Sequence, residues 1–163
     1  MLPLRATLLS ILLSLGAAPL AAQTNVAFGA IKADPTLPVE VTADQLDVNQ
    51  EDGSAEFTGN VLIGQGEMRL SAPRVLVIYS QDSRNIQRME ATGGVTLVNG
   101  PDAAEAERAD YSIDTGVIVM SGDVLLTQGA NALTSDRMTV NLTQGTAQMN
   151  GRVKTILNAD GQN

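Results

Sequence analysis

Eighteen Asp and Glu residues are the main chemical resource of this chain, since histidine and cysteine are both absent. Without histidine no imidazole can relay a proton or bind zinc, and without cysteine there is no thiolate nucleophile. Three short motifs need weighing. Asp47–Gly53, DVNQEDG, has the oxygen-rich make-up of a calcium loop. Its glycine falls one place late, however, and Thr58 stands where a bidentate Glu is needed, so a polar hairpin turn accounts for it. Glu105–Glu107, EAE, offers an acid pair, but such clusters are usually solvated charge. Asn141–Thr143, NLT, matches a glycosylation acceptor inside a segment that reads as strand and turn, and nothing is built on it. No glycine-rich phosphate loop or serine elbow occurs. The residues argue against catalysis, a metal site and any cofactor.

What remains is apolar surface and the elements that arrange it. The chain has 163 residues, room for one domain with a core. Met1–Arg5 carries a positive charge, Ala6–Leu20 is an apolar run and Ala21–Gln23 are small or polar. That order predicts a signal peptide over residues 1–22, cut near Ala22, and export. The run falls short of the about 20 residues that a membrane span needs. The formal charge is −8, and removing the signal takes away one arginine and leaves −9. Such a chain repels nucleic acid, and an aromatic content of 2% offers bases no stacking platform. An exported chain without cysteine has to be held by burial and backbone pairing, which suits a regular β-fold.

Four strands repeat around glycines 34, 29 and 29 residues apart: Gly59, Gly93, Gly122 and Gly151. Each alternates with a period of two, as in FTGNVLIGQG from Phe57 and MSGDVLLTQG from Met120, which predicts one buried and one wet face. Partner strands are interleaved: TADQLDVN (Thr42–Asn49), SAPRVLVIY (Ser71–Tyr79), RADYSID (Arg108–Asp114) and TSDRMTVNL (Thr134–Leu142). In the third, Ser112 falls where its siblings have Val75 or Met138. Turn residues at 50–54, 80–85, 114–116 and 143–145 separate the two types. Pro101–Asp110, PDAAEAERAD, reads as an extended loop running into a strand, and 23–38 and 158–163 read as flexible segments. The recurring glycines admit two explanations, a shared bend or a close approach of backbone or ligand.

The predicted fold is all-β, an open antiparallel sheet of strand-turn-strand units spanning residues 39–157. Its inner face comprises Phe57, Val61, Ile63, Val75, Val77, Met89, Val95, Leu97, Met120, Val124, Leu126, Met138, Val140, Met149 and Val153. One Phe among flexible Met, Val and Leu suits a space that adapts to acyl chains, although an ordinary core would use the same residues. Sheet edges at both ends invite strand addition.

The strands FTGNVLI and MSGDVLL, with partners SAPRVLV, RADYSID and TSDRMTV behind an export signal, resemble the OstA-like family of lipopolysaccharide transport proteins. The likeness runs from Val39 to about Leu157. It implies a periplasmic protein with a slightly twisted, open β-jellyroll that shields lipid A acyl chains in an apolar groove and bridges the inner and outer membranes. The inner face above, from Phe57 to Val153, becomes the lipid groove. The N-terminal edge, with Val39 and Val41, would meet an inner-membrane transport component. The C-terminal edge, with Val153, Thr155 and Leu157, would meet the outer-membrane translocon or another copy. Two other readings stand beside it: a structural β-solenoid polymerising through its edges, and a carbohydrate-active enzyme using paired acids.

Overall fold

The computed structural model describes residues 24–27, 34 and 36–156. Expectations for the signal peptide, for Leu157 and for 158–163 fall outside them. The described residues contain no helix and form one antiparallel sheet. Its strands are β1 (Thr24–Ala27), β2 (Glu40–Thr42), β3 (Gln45–Asn49), β4 (Ser54–Gln65), β5 (Met68–Tyr79) and β6 (Ile86–Asn99). They continue with β7 (Asp102–Ser112), β8 (Val117–Gln128), β9 (Asn131–Asn141), β10 (Thr146–Asn150) and β11 (Lys154–Ile156). From β4 to β10 each strand pairs with the next. β2 and β3 both lie on β4, and β10 and β11 both lie on β9, so each pair is one long strand interrupted at its middle.

That interruption recurs across the sheet and explains the glycines. Register shifts fall between Thr58 and Val61, Thr92 and Val95, and Ser121 and Val124. At each, a glycine and the residue after it have positive φ: Gly59 and Asn60, Gly93 and Gly94, Gly122 and Asp123. Gly151 and Arg152 repeat the geometry where β10 ends. These are β-bulges, which bend a strand and sharpen its twist. Stacked at one level, they crease the whole sheet into two wings, so a shared bend is one reason for the glycines.

A single hydrogen bond measures how far the sheet folds. Tyr111 is level with Ala55, through the pairs Tyr111↔Met89, Met89↔Val77 and Val77↔Ala55. Gln65 lies ten residues further along β4, about 33 Å away in a flat sheet. Yet the Tyr111 hydroxyl donates to Gln65 Oε1 at 2.6 Å. The wings therefore face each other and enclose one continuous hydrophobic core. This is the all-β antiparallel sheet expected from the repeats, open and jellyroll-like as the resemblance implies.

Three local expectations need correction. Pro101–Asp110 is not an extended loop leading into a strand: from Asp102 it is already β7, and Pro101 sits in the two-residue turn after Asn99. The third partner strand does not match its siblings at Ser112 but three residues earlier. The sibling of Val75 and Met138 is Ala109, preceded by Glu107 and Arg108 as Met138 is by Asp136 and Arg137. The segment 23–38 is not simply loose, because Thr24–Ala27 is β1 and pairs with β10.

Candidate functional site

Opposed residues on neighbouring strands build rows that cross the sheet from edge to edge. One row runs Leu46–Phe57–Val75–Ala91–Ala109–Met120–Met138–Met149. A second runs Val48–Ala55–Val77–Met89–Tyr111–Ile118–Val140–Ala147. On the other wing, Val41–Ile63–Leu70–Leu97–Ala104–Leu126–Leu133–Thr155 form a third. The rows lie along the long axis of the fold, so the interior is a lengthwise apolar strip with few polar interruptions.

Of the fifteen residues expected inside, thirteen are at most 2% exposed: Val61, Ile63, Val75, Val77, Met89, Val95, Leu97, Met120, Val124, Leu126, Met138, Val140 and Met149. Phe57 is half-buried and packs against them. Val153 does not belong to the interior, being 40% exposed. It sits between β10 and β11 at the last strand, where no further strand lies over it among the described residues. Val39 and Val41 are half-buried at the opposite edge, and Thr155 is exposed on β11.

The sequence pattern missed Met68, Leu70, Ala72, Ala104, Ala106, Ala109, Tyr111, Ile118 and Leu133, all buried. On β5, β7 and β9 the inward residues change parity at Pro73-Arg74, Glu107-Arg108 and Asp136-Arg137. A single period of two hides one half of each such strand. The repeated (acid or Pro)-Arg step was the signal that could have revealed it. Leu46 and Val48, 51% and 63% exposed, were missed for the same reason. By register they begin the first two rows, at an uncovered N-terminal mouth.

Charged groups lie on the outside and at the wing tips, while Ser135 is buried at the crease of β9. Arg108 binds Asp110 and Glu90, Arg88 binds Glu90, Arg74 binds Glu56 and Arg152 binds Asp136. Hydrogen bonding from these guanidinium groups lowers the pKa of the Glu56, Asp110 and Asp136 carboxyls. Glu105 and Glu107 are both exposed on β7. Within Asp47–Gly53, Asn49 and Asp52 bond to the turn itself, Asn49 accepting from Glu51 N and Asp52 from Ser54 Oγ. Asn141 caps a turn by accepting from Gln144 N. Among the described residues no group of three or more acids could hold a metal ion. Inside, Tyr111 is pushed up to about 12 by burial, and its partner Gln65 donates to Leu37 O.

Comparison with known proteins places this all-β fold beside a family. Residues 40–146 match the model of the LptA/(LptD N-terminal domain) LPS transport protein family. The chain belongs to that family. It is 24% identical over 138 residues to the lipopolysaccharide export system protein LptA of Escherichia coli, covering 78% of this chain and 75% of that one. It is 27% identical over 154 residues to an uncharacterised protein of Rhizobium meliloti, covering 88% and 83% respectively. The crystal structure of LptH, the LptA-homologous periplasmic component of the lipopolysaccharide transport device from Pseudomonas aeruginosa, superposes with a TM-score of 0.68. That match has 15% identity and covers 77% of this chain and 98% of LptH, so it speaks for the fold. The LptA-family assignment makes lipopolysaccharide transport the process in which the interior rows are to be understood.

Proposed function

We propose that this protein is a periplasmic carrier that shields the acyl chains of lipopolysaccharide between its wings and forms part of a bridge between the inner and outer membranes. The observation that carries the reading is the set of rows that run unbroken from Val41, Leu46 and Val48 at one edge to Thr155, Met149 and Ala147 at the other. Burying a CH₂ gains about 0.8 kcal/mol. An acyl chain lifted out of a membrane therefore needs continuous apolar cover, and lengthwise rows supply it without a pause. Sugars and phosphates stay in water beside the outer face. The first 22 residues act as a cleaved export signal, which brings the chain to the periplasm.

Chain entry separates the wings beside the Tyr111–Gln65 bond, with Met89, Met120, Met138 and Met149 re-packing around the lipid. The N-terminal mouth, where Leu46 and Val48 are uncovered, receives lipid from an inner-membrane transport component that pairs with the β2–β3 edge. The C-terminal edge passes it to another copy or to the outer-membrane translocon. No nucleotide or cofactor takes part, so the energy is supplied by the partner machinery.

The tight filling of the interior, with thirteen residues at most 2% exposed, favours a second reading as a dry structural scaffold. A photo-crosslinking amino acid at Val95, and separately at Thr96, distinguishes the two. Val95 is buried on the inner face, whereas its neighbour is half-buried on the opposite one. A lipopolysaccharide adduct at Val95 and none at Thr96, in cells exporting the protein, is the expected result. Adducts at neither position, in folded periplasmic protein, would overturn the carrier and leave the scaffold.

A further inference from the structure

The last long strand of the sheet has two different outer edges. Its first half, Thr146–Met149 in β10, is covered by β1, with Thr24 opposite Met149 and Val26 opposite Ala147. Its second half, β11, pairs inward with β9 and with no other strand among the described residues. Ile156 on β11 is 50% exposed and Val153 before it 40%. The cover also comes from the wrong end of the chain. β1 precedes β2 in sequence, yet the two terminate opposite ends of the sheet.

Closing the sheet in this way is demanding. Eight strand spacings separate β1 from β2, about 38 Å. Twelve residues connect Ala27 to Glu40, and such a stretch reaches at most about 43–47 Å. Four paired residues hold β1 against that requirement. The β2–β3 edge is longer and carries Leu46 and Val48 in register with the two rows that end at Met149 and Ala147.

We infer that β1 is a releasable cap on a strand-accepting edge, and that the partner which replaces it is a second copy of this chain. The incoming β2–β3 edge pairs first with the open β11, then extends over β10 and displaces β1. Leu46 and Val48 then continue the rows where the lone molecule has Thr24 and Val26. The inference rests on the stacking carrier proposed above, and adds that a single molecule is closed against stacking by its own N-terminal strand.

Two variants of the full mature chain test it. Opposed residues of an antiparallel pair lie about 4.5–5.5 Å apart at Cα, within the span of a disulfide. Asn25→Cys with Gln148→Cys therefore staples β1 to β10 in a protein with no other cysteine. Asn25→Pro with Val26→Pro removes two consecutive N–H groups, one of which faces β10, and unseats β1. Sedimentation velocity over a concentration series is the readout. We expect the oxidised staple to weaken self-association at least tenfold, reductant to restore it, and the proline pair to strengthen it severalfold. Equal association of stapled and reduced protein, failure of the staple to form, or no gain from the prolines overturns the cap and leaves the carrier standing. Absence of self-association in wild type and proline variant alike, at every concentration, overturns the stacking reading and the cap with it.

Discussion

The Asp44 carboxylate sits directly over the α-carbon of Gly59, so close that a Cβ added to the glycine would lie 2.5 Å from Asp44 Oδ2 and 2.9 Å from its Cβ. The two backbones are also bonded, Asp44 N donating to Gly59 O at 2.9 Å. Glu107 stands over Gly122 and Asp136 over Gly151 in the same way, while Pro73 covers Gly93 less closely, its Cγ 3.3 Å from where a Cβ would lie. The crease of the sheet is thus a repeated fit of one residue over a bare left-handed glycine.

Two glycine substitutions separate the parts of that fit. Gly122 has φ +84 and an added Cβ would lie 2.8 Å from Glu107 Cβ, whereas Gly94 has φ +97 and nothing within 4 Å. Gly94→Ala is expected to cost about 1–2 kcal/mol, the strain of a left-handed L-residue alone. Gly122→Ala adds overpacking and is expected to cost about 3–4 kcal/mol. Urea unfolding of the two variants checks this, and equal costs would mean that the overlying acid plays no part in the crease.

Tyr111 makes stability sensitive to alkali. Its pKa in the folded state is raised from 10.0 to about 12 by burial, so the unfolded chain loses the proton first. The contribution is fully present below pH 10 and is lost as the pH rises toward 12, at up to about 1.4 kcal/mol per pH unit. Tyr111→Phe should remove that slope. At neutral pH it should cost about 1–2 kcal/mol, because Gln65 Oε1 loses its buried donor. Denaturation midpoints between pH 9 and 12 for both proteins decide the matter.

Asp110 works in the opposite direction. The hydrogen bond from Arg108 lowers its pKa below 3.8, so its contribution is present above the unfolded pKa and disappears as the pH falls through the folded one. Asp110→Asn should be less stable at pH 7 by about 1 kcal/mol and lose part of the acid-induced decline. Parallel decline of wild type and variant from pH 5 to pH 2 would show that the Arg108 pairing does not survive in solution.

Much of this architecture was legible because repetition averages out noise. The period of two after each glycine placed Val61, Val95 and Val124 inside, and burial at or below 2% agrees. What stayed hidden was the other half of the partner strands. A bulge on β4, β6 or β8 has two residues facing one, so the partner's inward parity slips between Ala72 and Val75, Ala106 and Ala109, and Ser135 and Met138. The fold-back of the wings was not legible either, because Tyr111 and Gln65 are 46 residues apart and nothing local announces their bond. β1 was hidden for a like reason: four residues carry little pattern, and their partner lies at the far end of the chain.

The N-terminal mouth offers the cleanest separation of function from fold. Leu46 and Phe57 face each other in one row, yet Leu46 is 51% exposed while Phe57 packs against the core. Leu46→Ser with Val48→Ser removes apolar surface that water already reaches. The thermal midpoint should therefore move by no more than about 4 °C, the shift of a change under 1 kcal/mol. Phe57→Ser, one strand inward, should lower it by more, through lost burial and an unpaired hydroxyl. Function should rank the other way. If lipid and partner enter across β3, the surface pair loses most lipopolysaccharide crosslinking at Val95 while the protein stays folded. A Leu46, Val48 double variant that crosslinks like wild type would move lipid entry away from this mouth, toward the seam between the wings.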